Sequence, residues 1–296
     1  MDKKIGLFWL RDDFRFAKNN GLIEATTNHD QVVVFYLYKK DTYKDQEAQK
    51  WWLSRSLLNF RKKLNDLNIT LQIIETNSFK TFFEKLIKKK DFTIYWNKVY
   101  EPDYLKFDEY LLQTLESKKI VHKRFKGNAL NEIDEIKKSD GTPFKVFTPF
   151  WRTAEKFYSE KIPPKEKKIS KCAKKIKYFK NIINESEIYP YKNWFKKFEK
   201  FWDPSEESAL RELKNFLNSR VNNYSVNRNF PNTIGTSKLS PYIKHGQIHV
   251  ETIWEECSKL KNISVSKFLA EIGWREFNHS LINYFPYMCN KNYSKK

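Results

Sequence analysis

Hydrophobic positions along the first 125 residues follow two alternating patterns. Short unbroken apolar or β-branched runs read as strands buried on both faces: IGLFWL (5–10), VVVFYLY (32–38), ITLQII (69–74), FTIYW (92–96) and IVHKRF (120–125). Between them lie segments of helical period: LIEATT, the stretch from Trp51 to Leu67, SFKTFFEKLIKK and PDYLKFDEYLLQTLESK. In the third of these, Phe79, Phe82, Phe83, Leu86 and Ile87 fall on one stripe. Such alternation predicts a doubly wound parallel sheet with helices on both faces, whose ligands lie beyond the carboxyl ends of the strands. Neither GxGxxG nor GxxxxGKS/T occurs, which argues against a standard dinucleotide fold or a P-loop.

The pattern breaks after residue 125. Residues 131–195 include DGTPFKVFTPFW (140–151) and KIPPKEKKISKCAKKIKYFK (161–180), and they read as a connection between domains. Their lysine run suits a solvated linker, with a DNA contact as the alternative. From about residue 196 strand signals vanish. DPSEESALRELKNFL offers Asp203 as a helix cap and Pro204 in the first turn, with Leu210, Leu213, Phe216 and Leu217 as its buried stripe. VETIWEECSKL and SVSKFLAEIGWREFNHSLINYF (264–285) continue as helices. The expected architecture is α/β followed by all-α, divided as 1–130, 131–195 and 196–296.

Two stretches of the helical part carry chemistry. On the last long helix Glu271, Trp274, Arg275 and Asn278, spaced by three, one and three, are expected to share one face. In NYSVNRNFPNTIGTSKLSPYIKHG (223–246), Thr236, Ser237 and Ser240 occupy a turn that feeds a helix through Pro241, with Lys238 beside them. Free amide N–H groups and hydroxyls at such a point make an anion cradle, although ordinary capping explains the same residues. Tyr224 and Arg228, twelve and eight residues before Thr236, move the reading towards a phosphate-bearing cofactor. Arg228 equally suits a phosphate of a polynucleotide backbone.

Charge supports a polyanionic partner. The chain has 56 basic and 36 acidic residues, a formal +20, and nucleic acid is the commonest partner for such an excess. An AT-rich genome is the competing source of lysine. Three scattered cysteines, Cys172, Cys257 and Cys289, suggest neither a disulfide framework nor a metal site, and point to a reducing cytoplasm. No apolar run reaches membrane-spanning length.

These motifs together resemble the DNA photolyase/cryptochrome flavoprotein family, in the same order along nearly the whole chain. WLRDDFRFAKNNGL is similar to the family's W-x-R-x-D-x-R-x-x-D-N-x-x-L opening, WWLSRSL (51–57) to its WWL-x-x-SL helix, and DGTPFKVFTPFW to its TPFW stretch. GTSKLSPYIKHG resembles G-T-S-x-L-S-P-Y-L-x-x-G, and EIGWREFNHSL resembles E-L-x-W-R-E-F-Y-x-x-L. The resemblance implies that Tyr224 and the turn Thr236, Ser237, Lys238, Leu239 and Ser240 hold the phosphates and ribityl chain of FAD. It places Arg275 and Asn278 facing the flavin, Phe268 in contact with it, and Arg228 on DNA. Glu271 and Trp274 match the pair that receives a flipped-out pyrimidine dimer by hydrogen bonding and stacking. It further implies an antenna pigment, a folate or a deazaflavin, in the α/β domain, near Trp96, Asn97 and Glu101.

The implied activity is light-driven electron transfer from reduced FAD to ultraviolet-induced dimers in DNA, a carbon–carbon lyase reaction. The alternatives are a cryptochrome-like sensor and a non-functional truncated fragment. A nucleotidyl transferase, suggested by TSKLS alone, lacks an HxGH signature after the first strand. Two departures stand out. Lys18–Asn19 replaces the usual Asp–Asn. Family members also continue for several helices past the WREF helix, so the resemblance implies about half a flavin pocket, FAD binding by this chain alone that is weak or absent, and an opposite wall that is either supplied by a second polypeptide or lost.

Overall fold

The computed structural model describes residues 5–162, 167–190, 193–260 and 263–293. Pro163, Pro164, Lys165 and Glu166 of the lysine-rich run lie outside them. Five parallel strands, β1 (Ile5–Leu10), β2 (Val32–Tyr38), β3 (Thr70–Glu75), β4 (Phe92–Asn97) and β5 (His122–Phe125), form one sheet in the order β3-β2-β1-β4-β5. Helices α1 (Asn20–Asn28), α2 (Glu47–Asp66), α3 (Phe79–Leu86) and α4 (Pro102–Ser117) cross between them and cover both faces. The doubly wound α/β expectation holds. Strand order reverses between β1 and β4, the place where such sheets open a crevice.

Two strands start later than the apolar runs suggest, for one local reason. Asn68 and Lys119 adopt left-handed φ of 57° and 56° just after α2 and α4. The next N–H groups, of Ile69 and Ile120, reach back to the carbonyls of Leu64 and Leu115 at 3.0 and 2.9 Å. The first apolar residue of each run therefore closes the preceding helix, and the ladder begins after it.

The second part contains α5 (Phe147–Glu160), α6 (Glu206–Ser219), α7 (Tyr224–Asn227), α8 (Ser240–Lys244), α9 (Val250–Ser258) and α10 (Ile263–Tyr284). The stretch read as a linker is not plain connection, because α5 lies within it. Pro149 stands in the first turn of α5, where no intrahelical donor is required, and Phe150, Ala154 and Tyr158 bury into the same core as α9 and α10. At α6 the cap is Ser205, whose hydroxyl accepts the Ser208 N–H at 3.2 Å, rather than Asp203. Asp203 instead accepts the hydroxyls of Ser205 and Ser208, at 2.8 and 2.6 Å.

The two parts are bolted together by buried polar contacts. Trp52 of α2 packs against Tyr242 and donates its indole N–H to Gln247 at 3.1 Å. The Glu206 carboxylate accepts the N–H groups of Phe16 and Ala17 at 2.8 and 2.9 Å and pairs with Lys63. Lys18, the departure from the family's opening motif, forms a 2.7 Å ion pair with Glu255 of α9, while Asn19 caps α1. Arg15 donates to the Gly246 carbonyl at 3.0 Å. Gly246 has φ of +65°, and a Cβ there would meet the Asp12 carbonyl at 1.9 Å, so only glycine fits this approach.

Candidate functional site

A hollow of about 380 Å³ opens at the carboxyl edge of the sheet, at the β1/β4 switch. Asp12 follows β1, and Lys98, Tyr100 and Glu101 follow β4. The opposite wall comes from Tyr224 on α7, Ser237 and Ser240 before and at the start of α8, and a stripe of α10. That stripe is Phe268, Glu271, Ile272, Arg275 and His279. Its volume falls within the range of about 300–1,000 Å³ usual for cofactor and ligand pockets.

The sequence-derived residues divide into two groups. Tyr224, Ser237, Ser240, Phe268, Glu271 and Arg275 line the one hollow. Thr236 and Lys238 are exposed and do not line it, and Leu239 is fully buried in the helical core. Lys238 takes a left-handed φ of 56°, so the turn sends successive side chains in different directions. The expected anion cradle is also weaker than the sequence suggests. The α8 helix has only five residues, and the Ser237 hydroxyl already accepts the Leu239 N–H at 3.3 Å.

The four-residue face expected on α10 is likewise split. At about 100° per residue, Trp274 sits about 120° and Asn278 about 80° from the middle of the pocket stripe. Trp274 stacks on Phe147 of α5 with centroids 3.8 Å apart and stays 43% exposed, and Asn278 is exposed. Arg228 does not line the hollow but pairs with Glu271 at its edge, and its guanidinium lies 5.3 Å from the centre of the Tyr224 ring.

Packing fixes the groups that do line the hollow. The Tyr224 ring is held edge-on by Phe216 and Phe268 at 5.5 and 5.4 Å, and burial pushes its hydroxyl above the ordinary tyrosine value. Arg275 donates to Glu276 at 2.8 Å, and the other Glu276 oxygen accepts the Leu130 N–H at 2.9 Å. Burial raises the Glu276 carboxyl, with Arg275 and the Leu130 N–H pulling the other way. Glu276 thus orients the guanidinium from behind.

His279 stacks on Tyr100 at 5.2 Å, and its buried Nδ1 has no hydrogen-bond partner among the described residues. Burial, then the charges of Arg275 and Lys244, hold this imidazole down to about 3, so it is neutral at ordinary pH. Lys244 bridges Glu101 and Asp12 at the rim. Sequence reasoning missed Glu276, His279, Tyr100 and Lys244. Continuing the α10 stripe by one turn reaches His279, but the partners on the sheet side follow only from tertiary packing.

A larger hollow of about 1,460 Å³ lies beside the first, between the starts of α3 and α4 and the segment after α10. Glu101 stands on its wall, but Trp96 and Asn97 do not. Trp96 is fully buried in the sheet. The Asn97 amide donates to Asp13 and Asn19 at 2.5 and 2.8 Å and accepts the Gly21 N–H at 3.0 Å, so it clamps the strand ends.

Comparison with known proteins bears on the family and the fold. The DNA photolyase family model matches residues 6–168. The chain is 29% identical to the deoxyribodipyrimidine photo-lyase of Agrobacterium fabrum, over 97% of its own length and 61% of the relative's. It is 26% identical to cryptochrome-1 of Arabidopsis thaliana, over 98% of its length and 47% of the relative's. The crystal structure of a bacterial class III photolyase from Agrobacterium tumefaciens superposes with a TM-score of 0.86 at 27% identity, covering 99% of this chain and 62% of that one. The chain therefore spans less than two thirds of the length of each of these relatives. Among the described residues no helix is long and apolar enough to cross a membrane. With the sheet, the switch-point hollow and the family match in agreement, this chain belongs to the DNA photolyase family.

Proposed function

We propose that the switch-point hollow receives FAD and that the chain takes part in light-driven splitting of ultraviolet-induced pyrimidine dimers in DNA. The observation that carries this reading is the convergence of Tyr224, Ser237, Ser240, Phe268 and Arg275, from three elements, on one cavity. Those residues suit the cofactor: hydroxyls for its polar chain, apolar rings to exclude water, and a fixed guanidinium. The unpartnered Nδ1 of His279 leaves a buried polar atom in search of a ligand group. Bound FAD would supply absorption of blue light and an electron, which no side chain provides. The chain's own residues bind, orient and keep water out.

A dimer inside a duplex must be extruded to reach such a pocket. Glu271 at the pocket edge offers a carboxylate to a thymine imide N–H, or a carboxyl to a carbonyl. Trp274 offers a half-open ring, and base stacking on such a ring is worth about 1–3 kcal/mol. Arg228, now paired with Glu271, turns to a backbone phosphate when the pair opens. The neighbouring larger hollow is the proposed place for an antenna pigment, folate or deazaflavin.

Titration of the purified chain with FAD, followed by blue illumination of a dimer-containing oligonucleotide, tests the reading. Arg275→Ala and Tyr224→Ala should weaken flavin binding; unchanged binding in both variants would overturn the assignment of this hollow. Saturable, stoichiometric flavin binding by the chain alone would remove the need for a completing polypeptide. The second reading, a cryptochrome-like sensor, draws on the Arg228–Glu271 pair, which engages the carboxylate a dimer would need. Flavin binding without dimer reversal would favour it.

A further inference from the structure

Lysines crowd the edge of the sheet opposite the pocket. All strands run parallel, so every helix-to-strand turn meets at their amino ends. Lys88, Lys89 and Lys90 occupy the α3–β4 turn, and Lys118 and Lys119 the α4–β5 turn. The lysine-rich segment crosses the same edge. Its backbone is tied there by the Cys172 N–H to the Leu67 carbonyl and the Ala173 N–H to the Asp30 carbonyl, both at 2.9 Å. The Tyr178 hydroxyl donates to Asp91 at 2.5 Å. Six lysines of this segment, between Lys167 and Lys177, bring the edge to eleven, all exposed. The acidic residues of the same turns are Asp30, Asp66, Asp91 and Glu116.

A composition bias would scatter lysines over the whole surface. Elsewhere paired lysines occur beside others, such as Lys62, Lys85 and Lys106, that form no ion pair among the described residues. What marks this edge is the crowding of its lysines. Lys18 pairs with Glu255, Lys63 with Glu206 and Lys98 with Glu132. Among the described residues, none of the eleven edge lysines forms an ion pair. Helix dipoles account for lysines that follow α3 and α4. They do not account for the crossing segment between Lys167 and Lys177, which contains no helix. Lys90 and Lys119 also hold left-handed φ of 57° and 56°, a conformation that glycine adopts at lower cost.

We propose that this edge is a second nucleic-acid surface, which holds duplex phosphates without reading sequence. Ammonium groups on flexible stems suit phosphate contacts and not base readout. The apolar residues of the crossing segment, Ile176, Tyr178 and Phe179, pack inward on the core and leave no wedge for a bilayer. Six-residue strands separate this edge from the pocket by about 20 Å, so the two surfaces engage different stretches of duplex. The inference is independent of the flavin reading, because undamaged DNA in the dark tests it.

The test compares two quadruple variants: Lys171, Lys174, Lys175 and Lys177 to Gln at the edge, and Lys145, Lys196, Lys197 and Lys214 to Gln elsewhere. Binding to an undamaged duplex of about 30 base pairs is followed by anisotropy between about 50 and 200 mM salt. The edge variant should lower the slope of log K against log salt by about 3–4 and weaken low-salt binding at least about tenfold, with the control variant close to the parent. An unchanged slope, equal losses in both variants, or no duplex binding by the parent would overturn the proposal. So would an edge variant that loses phosphatidylserine vesicles but keeps DNA. Unchanged melting of the edge variant confirms that it folds.

Discussion

Glu276 illustrates how a single buried side chain sets the chemistry of the pocket wall. It is 4% exposed, holds Arg275 on one oxygen and the Leu130 N–H on the other, and touches no part of the hollow itself. Glu276→Ala should cost about 3 kcal/mol, the low end for breaking a buried pair, because Arg275 keeps 27% side-chain exposure. Urea unfolding measures the loss, and Glu276→Gln, which retains the hydrogen bonds, should recover part of it. Three buried histidines contribute to the response to acid. Burial holds His245 and His279 down to about 3, from 6.5, and drives His249 well below its ordinary value. Below pH 6.5 the unfolded chain takes up protons that the folded chain refuses, so stability is lost as pH falls towards 3. Each contributes a slope of at most about 1.4 kcal/mol per pH unit. Glu276 acts in the opposite sense, its raised carboxyl costing stability as pH climbs above 4.5. Urea midpoints at about pH 7 and about pH 5 should differ less in His279→Gln than in the parent.

Among the elements, α10 carries the most consequence, because it faces two partners at once. One side lines the hollow, and the other receives α5 through the Trp274–Phe147 stack and the contact of Phe277 with Phe150. Gly273 makes that approach possible, since a Cβ there would lie 2.1 Å from the Trp151 ring. Gly273→Ala should therefore push α5 away and destabilise the fold by about 1–3 kcal/mol, against the small gain that alanine brings to an ordinary helix interior. The thermal midpoint gives the sign. Phe147→Ala is expected to free the Trp274 ring, read as red-shifted, more quenchable indole fluorescence. Sequence pattern finds α10 and its apolar period but not α5, because Pro149 disguises a helix start as a loop.

At the scale of the molecule, the pocket exists only because the sheet and the helices are held in register. Glu206 gathers two backbone N–H groups of the β1–α1 loop and Lys63 of α2, so Glu206→Ala should loosen both parts together. Limited proteolysis should then cut within the β1–α1 loop, which the parent protects. What depends on neighbours along the chain could be read from the sequence: strand and helix periods, the parallel α/β fold, and the family motifs at 224–246 and 264–285, but not the α6 cap, which Ser205 supplies instead of Asp203. Tertiary structure decided which of the motif residues meet. Tyr224, Ser237 and Arg275 converge, while Trp274 and Asn278 turn aside, because about 100° of rotation per residue carries those two away from the pocket stripe and one left-handed residue at Lys238 redirects its neighbours in the turn. Lysine number was visible in the sequence from the start. Their collection on one edge was not, since it follows from five strands running the same way and from a linker that returns to cross beneath them.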